Sequence, residues 1–223
     1  MEFLNHTAHV VLGFGAALAA VIALAAGKGS RWHRWSGWAF AAGMLVAALT
    51  TFGFMPEDFR PLAVIQACTA IYALGTAILA LNPHWPSARM GEWALFVFLL
   101  LIMLGIVATG VILWRSGGGI APGPVAFFAI LAFFAALDVR YLRRAKVPHP
   151  DRLRRHALRM AMVVSETVRA PLLTFADDLS IPFPVIVFGT FLLVPLIYVA
   201  FTPAILRGNY TLKESPLNRP AVP

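Results

Sequence analysis

Long apolar segments separated by short polar connections account for most of the sequence. Seven segments can be distinguished, and glycine and proline lie in the connections between them. Each segment approaches the roughly 20 residues that a helix needs to cross the hydrocarbon core of a bilayer, although the fifth and the sixth are short. The pattern therefore predicts an all-α, polytopic membrane helix bundle of about seven transmembrane helices: Ala8–Ala26, Trp35–Phe54, Leu62–Leu81, Trp93–Trp114, Val125–Asp138, Leu158–Phe175 and Phe183–Phe201.

The composition agrees with a membrane protein and argues against a soluble one. Of the 223 residues, 60% are hydrophobic and 13% are charged, and the mean hydropathy is +0.78. A soluble domain has about 25% charged residues. The net charge of +8 does not indicate a nucleic-acid partner, because the basic residues lie between apolar segments, as they do in membrane proteins. We predict a multi-pass protein of a cytoplasmic (inner) membrane, with the lipid bilayer as its partner.

The distribution of lysine and arginine predicts the orientation. The first, third and fifth connections, with Arg159 at the start of the sixth segment, and the C-terminal tail hold 15 of the 18 basic residues, and these parts of the chain are expected in the cytoplasm. This places the N-terminus outside and the C-terminus inside. We expect residues 1–206 to form a single transmembrane bundle and residues 207–223 to form a flexible cytoplasmic tail. Because no basic stretch precedes the first apolar segment, we expect that segment to be retained rather than cleaved.

The sixth segment is unusual because it carries two charged residues near its middle. Glu166 and Arg169 are spaced as an i,i+3 helical pair. A charge at the centre of a bilayer costs roughly 3 kcal/mol on insertion scales, so it usually faces a partner or a cavity. Pro171 has no N–H, which leaves the carbonyl of Thr167 without its helical partner. We therefore predict a buried polar site at Glu166, Thr167 and Arg169.

Polar residues of the third segment are candidate partners for this site. They lie on one side of the predicted helix, where they would either hydrogen-bond Glu166 or Arg169, or hold neighbouring helices together. These residues are Gln66, Thr69, Tyr72 and Thr76.

A polar stripe extends the site towards the cytoplasm. Its members fall within about 80° of one another on a helical projection: Arg155, Arg159, Met162, Glu166 and Arg169. Two interpretations follow. A membrane-embedded pocket lined by Glu166 and Arg169 would favour a substrate or proton site, whereas a closed salt bridge would favour a structural role.

The six histidines raise the alternative of a b-type haem. Such a haem needs two axial ligands at matching depth on facing helices. His33, His84 and His156 share the predicted inner side but lie at helix ends, so no cofactor is predicted and haem b is kept as an alternative. The lone Cys68 provides neither a disulfide nor a cysteine metal site, and His6 with His9 supplies too few ligands for a metal.

A short motif at the start of the second segment resembles a known pattern. It reads His33-Arg34-Trp35-Ser36-Gly37, and His156, Arg159, Met160 and Arg169 follow in the sixth segment. The chain thereby resembles a bacterial family of predicted multi-pass membrane proteins of unknown function. The resemblance groups His33, Arg34, His156 and Arg159 at the inner face. Such a cluster would suit an anionic group, such as a lipid headgroup; the alternative is a topology signal with interfacial anchoring.

Three functions remain open at this point. The leading hypothesis is transport or sensing of a small solute or proton, centred on Glu166 and Arg169. The second is a membrane redox protein that holds haem b. The third is a non-catalytic accessory subunit or assembly factor, in which small residues (Ala16, Ala17, Ala20 and the run 37–48) contact a second copy or another membrane protein. No nucleophile, phosphate-loop or metalloprotease motif is present, so an enzyme is less favoured.

Overall fold

The computed structural model describes residues 2–54, 61–117 and 122–206, and this part of the chain is helical without any strand. Within these ranges seven helices follow one another, and together they confirm the all-α class. Their bounds are α1 Glu2–Ala25, α2 Arg31–Phe54, α3 Pro61–Leu81, α4 Ala88–Arg115, α5 Pro122–Leu142, α6 His149–Thr174 and α7 Phe183–Leu206. The predicted tail, residues 207–223, and the side chain of His6 lie outside the described residues.

Six of the seven helices are long and apolar enough to cross a membrane, which makes this a multi-pass membrane protein. The exception is α6, because arginines crowd its first half and Glu166 and Arg169 occupy its second. With 26 residues it spans about 39 Å at 1.5 Å per residue, which is more than a bilayer core needs. The crossing of α6, and with it the orientation of the two termini, remains a prediction.

Helices α5 and α6 extend well beyond their apolar segments. Helix α6 begins at His149, nine residues before the predicted start, with Pro150 and Asp151 in its first turn. Proline and an acidic residue both favour a helix start. Helix α5 continues past Asp138 to Leu142. Apolar patterning marks only the part of a helix that lipid or core covers, so it misses polar turns that pair with other helices.

Helix α6 lies inside the bundle, where it packs mainly on α3 and α7. Its buried face carries charged residues together with Met162 and Val163. Many large apolar side chains of α1, α4 and α7 are exposed instead, as expected for surfaces that face lipid. The most polar helix is thus shielded by the apolar ones.

Several of the small residues that were proposed to contact another protein pack against helices of this chain. Ala16 and Ala20 of α1 are buried, and a Cβ added at Gly43 of α2 would come within 3.0 Å of the Ala16 Cβ. Ala41, Ala47 and Ala48 of α2 are buried as well. Small residues let two helices approach closely. Ala16 and Gly43 thus bring α1 and α2 together, and Ala48 packs with Ala67 and Ala70 of α3. Ala39 and Ala42 in the same run are exposed, so contact with another protein stays a prediction.

Candidate functional site

The two charges of α6 are buried and adjacent. Glu166 is 3% exposed and Arg169 is 0% exposed. The Arg169 Nη2 lies 3.7 Å from the Glu166 Oε1, which is an ion pair but too long for a hydrogen bond. The hydroxyl of Thr69 on α3 donates to the same Oε1 atom. The predicted contact between the third and the sixth segments therefore forms through Thr69.

Aromatic rings enclose the guanidinium group of Arg169. Its central carbon lies 4.7 Å from the ring centroid of Phe127 on α5 and 4.1 Å from that of Phe191 on α7. Such cation–π contacts contribute about 0.5–2 kcal/mol each, more when the cation is desolvated. They compensate in part for burying the charge, but they leave the N–H groups without acceptors.

Several polar atoms around this pair have no hydrogen-bond partner within the described part of the chain. They are all three nitrogens of the Arg169 guanidinium and the Glu166 Oε2; the Gln66 Nε2 on α3 is likewise buried without a partner. A buried donor or acceptor without a partner costs about 1–3 kcal/mol, so each such group calls for an explanation. The two groups thus form a buried ion pair whose remaining hydrogen-bonding atoms are unsatisfied.

The other residues predicted for this site lie differently. The Thr167 hydroxyl donates to the carbonyl of Val163 at 2.8 Å and approaches the sulfur of Met44 on α2 at 3.2 Å. Tyr72 does not contact Glu166 but donates its hydroxyl to Asp138. Thr76 bonds to carbonyls of its own helix. Of the predicted polar face of α3, Thr69 thus hydrogen-bonds Glu166, whereas Tyr72 belongs to a second cluster.

This second cluster is centred on Asp138 of α5, which is 1% exposed. Its Oδ1 accepts from Arg155 Nη2 at 3.0 Å and from Arg159 Nη2 at 2.5 Å, while its Oδ2 accepts from Tyr72. Arg155 also donates through Nη1 to Glu92 of α4 at 3.1 Å. The network joins α3, α4, α5 and α6. We refer to these five residues as the Asp138 cluster.

The sequence analysis did not identify Asp138 and Glu92 as site residues. Asp138 was the last residue of the fifth predicted segment, and Glu92 lay just before the fourth. One signal was available. Both are acidic residues at ends of apolar segments where most of the other charged residues are arginines. Pairing them with particular arginines required knowledge of which helices are neighbours.

The Asp138 cluster and the Glu166–Arg169 pair lie along one interface. Thr69 and Tyr72 are one turn apart on α3, and Arg159 and Glu166 are two turns apart on α6, a rise of about 10.5 Å. Between the last two, Met162 lies on the same face of α6 and is 1% exposed. The α3–α6 interface therefore holds two polar sites separated by an apolar side chain.

The predicted inner-face cluster of His33, Arg34, His156 and Arg159 forms only in part. His33 and His156 are both half-buried. Each has its Nδ1 hydrogen-bonded to a backbone carbonyl, of Ala23 at 2.9 Å and of Ala77 at 3.1 Å. Arg34 is exposed, and Arg159 instead joins the Asp138 cluster. Among the described residues, no group of three His, Cys, Asp or Glu side chains is placed to hold a metal ion.

A cleft of about 190 Å³ opens where α5, α6 and α7 end or begin. Its inner part is formed by Arg155, Arg159 and Asp138, and its rim by exposed or half-buried charged residues. Glu166 and Arg169 do not line it. The cleft therefore reaches the Asp138 cluster but not the deeper pair.

No family model matches this chain, and neither a curated protein nor a solved structure is similar to it. The resemblance based on His33, Arg34 and Gly37 therefore stays an expectation. Function has to be argued from the two buried polar sites themselves.

Proposed function

We propose that the protein transports or senses a proton or a small solute through the α3–α6 interface of a bacterial cytoplasmic membrane. Glu166 would take up and release the proton, and Arg169 would hold its charge. The observation that carries this proposal is the buried Glu166–Arg169 pair, whose polar atoms are incompletely hydrogen-bonded. Ionisable residues at membrane depth are costly and usually serve ion pathways or ligand sites.

A purely structural role accounts less well for the same contacts. A buried ion pair stabilises a fold only with excellent geometry and with its remaining donors satisfied. Here the closest approach is 3.7 Å, and none of the three Arg169 nitrogens has a hydrogen-bond acceptor among the described residues. The pair is thus better suited to exchanging hydrogen-bond partners during transport or sensing than to fixing the packing of α6.

The Asp138 cluster would connect this pair to the cytoplasmic side. The cleft admits water to Arg155 and Arg159, and the hydroxyls of Tyr72 and Thr69 continue the polar face on α3. Met162 interrupts the route, and apolar constrictions of this kind gate pathways by excluding water. A proton or solute would pass only when α6 shifts or water enters beside Met162.

We expect Glu166→Gln to abolish proton movement. The amide keeps the size of the side chain and can still accept a hydrogen bond from Thr69, but it cannot exchange a proton. The measurement uses purified protein in liposomes that contain a pH-sensitive dye, with a potential imposed by a potassium gradient and valinomycin. Wild-type protein should acidify the lumen faster than protein-free liposomes, and Glu166→Gln should return the rate to that background.

The matched control is Asp177→Asn, which removes an exposed carboxylate after the end of α6. It should leave the rate unchanged. Infrared spectroscopy supplies a second readout, because a carboxyl group that titrates in the wild type should disappear in Glu166→Gln. Wild-type liposomes without proton movement, together with no titrating carboxyl band assignable to Glu166, would contradict the proposal.

One observation favours a second candidate, a b-type haem bound by His33 and His156. In both histidines the hydrogen bond of Nδ1 to a backbone carbonyl leaves Nε2 as the atom available to a metal, which is the usual arrangement of ligating histidines. Protein expressed with adequate haem would then show a Soret band that His33→Ala and His156→Ala each remove. A sample without that band would eliminate this candidate.

A further inference from the structure

The cleft between the ends of α5, α6 and α7 has the chemistry of a binding site for an anion. Five arginines line it: Arg140, Arg144, Arg154, Arg155 and Arg159. Three carboxylates face them, from Asp138 and Asp151 in the cleft and from Glu92 against Arg155. Because Glu92 also pairs with Arg89, at least two positive charges remain unbalanced. From this cleft we infer a binding site for a phosphate group, either free in the cytoplasm or part of a lipid headgroup.

The deepest arginines have unused hydrogen-bond donors. Arg155 is 8% exposed and Arg159 is 1% exposed, and both line the cleft. The Arg155 Nε and the Arg159 Nε and Nη1 have no partner among the described residues, although the other nitrogens of both groups are bound. Buried guanidinium donors are normally paired. Phosphate oxygens are acceptors that match several such donors at once.

The rim of the cleft contains charges of two kinds. Asp151 already binds Arg144 at 2.7 Å and Arg154 at 3.2 Å, which fixes those side chains at the entrance. Arg140 is exposed and forms no ion pair with a described residue. It is therefore the rim arginine best placed to bind an incoming anion.

The remaining wall suits an organic substituent on the phosphate. Leu137, Leu158 and Tyr198 contribute apolar surface from α5, α6 and α7. A cleft with an arginine floor and an apolar wall accommodates a phosphate ester or a lipid headgroup beside its acyl region. The inference does not rest on the proposed role of Glu166 and Arg169, since neither lines the cleft.

The experiment measures phosphate binding to the full chain in nanodiscs of zwitterionic phosphatidylcholine. Thermal unfolding is recorded with increasing inorganic phosphate at constant ionic strength, with chloride as the reference. Phosphate should raise the melting temperature in a saturable manner. Arg140→Gln should weaken the apparent affinity about fivefold or more, as expected for losing one charge-assisted hydrogen bond.

Arg143→Gln is the matched control, because Arg143 is also exposed and lies three residues further on but does not line the cleft. It should change the affinity less than about twofold, as for a distant surface charge. Glu166→Gln should bind phosphate like the wild type. A loss of proton movement without a loss of phosphate binding, or the reverse, then separates this inference from the proposed function.

A second arm identifies the source of the phosphate group. If free phosphate has no effect, the protein is compared in anionic phosphatidylglycerol and in phosphatidylcholine nanodiscs. A higher melting temperature in phosphatidylglycerol that Arg140→Gln removes and Arg143→Gln keeps would support a lipid headgroup. The inference is overturned if neither phosphate nor anionic lipid stabilises the protein, or if both variants respond equally.

Discussion

Replacing Asp138 by asparagine is expected to lower the free energy of unfolding by about 3–5 kcal/mol, the usual cost of removing one partner from a buried ion pair. Asp138 accepts hydrogen bonds from Arg155, Arg159 and Tyr72 in a cluster that joins α3, α5 and α6. The asparagine amide would still offer one oxygen acceptor to Arg155 and Arg159 but no negative charge, and the carbonyl of Phe134 lies 3.4 Å from Arg159. Thermal unfolding in a mild detergent, followed by tryptophan fluorescence, measures the loss.

The control for Asp138→Asn is Asp151→Asn. Asp151 also pairs with two arginines, but all three side chains are about one-third exposed or more. Solvent screening limits such pairs to about 0–1 kcal/mol, so Asp151→Asn should hardly change the melting temperature. Equal destabilisation by the two variants would show that burial of the Asp138 cluster does not govern its strength.

A double substitution tests the physical reason for the loss. If the cost comes from unpaired charge, Asp138→Leu combined with Arg159→Met should recover part of the stability that Asp138→Leu alone removes. Buried ion pairs replaced by apolar residues of similar volume often match or exceed the original stability. Glu92 would still bind Arg155 in the double variant. Additive losses from the two substitutions would contradict this explanation.

The second large effect is expected at Arg169, where stability and activity should separate. Arg169→Met removes a fully buried charge that has no hydrogen-bond acceptor among the described residues, while the apolar chain still fills the space between Phe127 and Phe191. Glu166 keeps its bond from Thr69 and can become neutral by taking up a proton. We expect the free energy of unfolding to change by less than about 1 kcal/mol, while proton movement is lost.

Arg159→Met provides the matched comparison on the same helix. Arg159 is equally buried, but it is bound to Asp138 at 2.5 Å, so its loss should destabilise the protein clearly. Both variants are measured by thermal unfolding and by the liposome assay. If Arg169→Met destabilises the protein as much as Arg159→Met, then Arg169 serves packing, and the proposed function loses its main support.

The fold class and the most unusual helix could be predicted from the sequence. The apolar segments have nearly the number and the length of the observed helices. In lipid, unpaired backbone polar groups are costly, so an apolar segment of this length forms a helix, which pairs them internally. Glu166 and Arg169 stood out because charges inside an apolar run are costly wherever the neighbouring helices lie. Their mutual contact follows from spacing along a single helix.

The partners of the buried charges could not be predicted in the same way. Asp138 and Arg159 are 21 residues apart, and Tyr72 and Asp138 are 66 apart. Such contacts depend on which helices are neighbours and on how each is rotated, and helical periodicity specifies neither. The same limitation explains why Tyr72 was assigned to Glu166 and why Ala16 was expected to face a partner rather than α2.

The sequence by itself determined that this chain forms membrane helices and that α6 carries an unusual pair of charges, because both depend on local patterns of polarity. Only the tertiary structure decided that α6 is buried among the other helices, that its arginines meet Asp138 and Glu92, and that a cleft lined by arginines reaches them. The reason is physical. Hydrophobicity acts residue by residue along the chain, whereas pairing of buried charges requires atoms from separate helices to meet within about 3 Å.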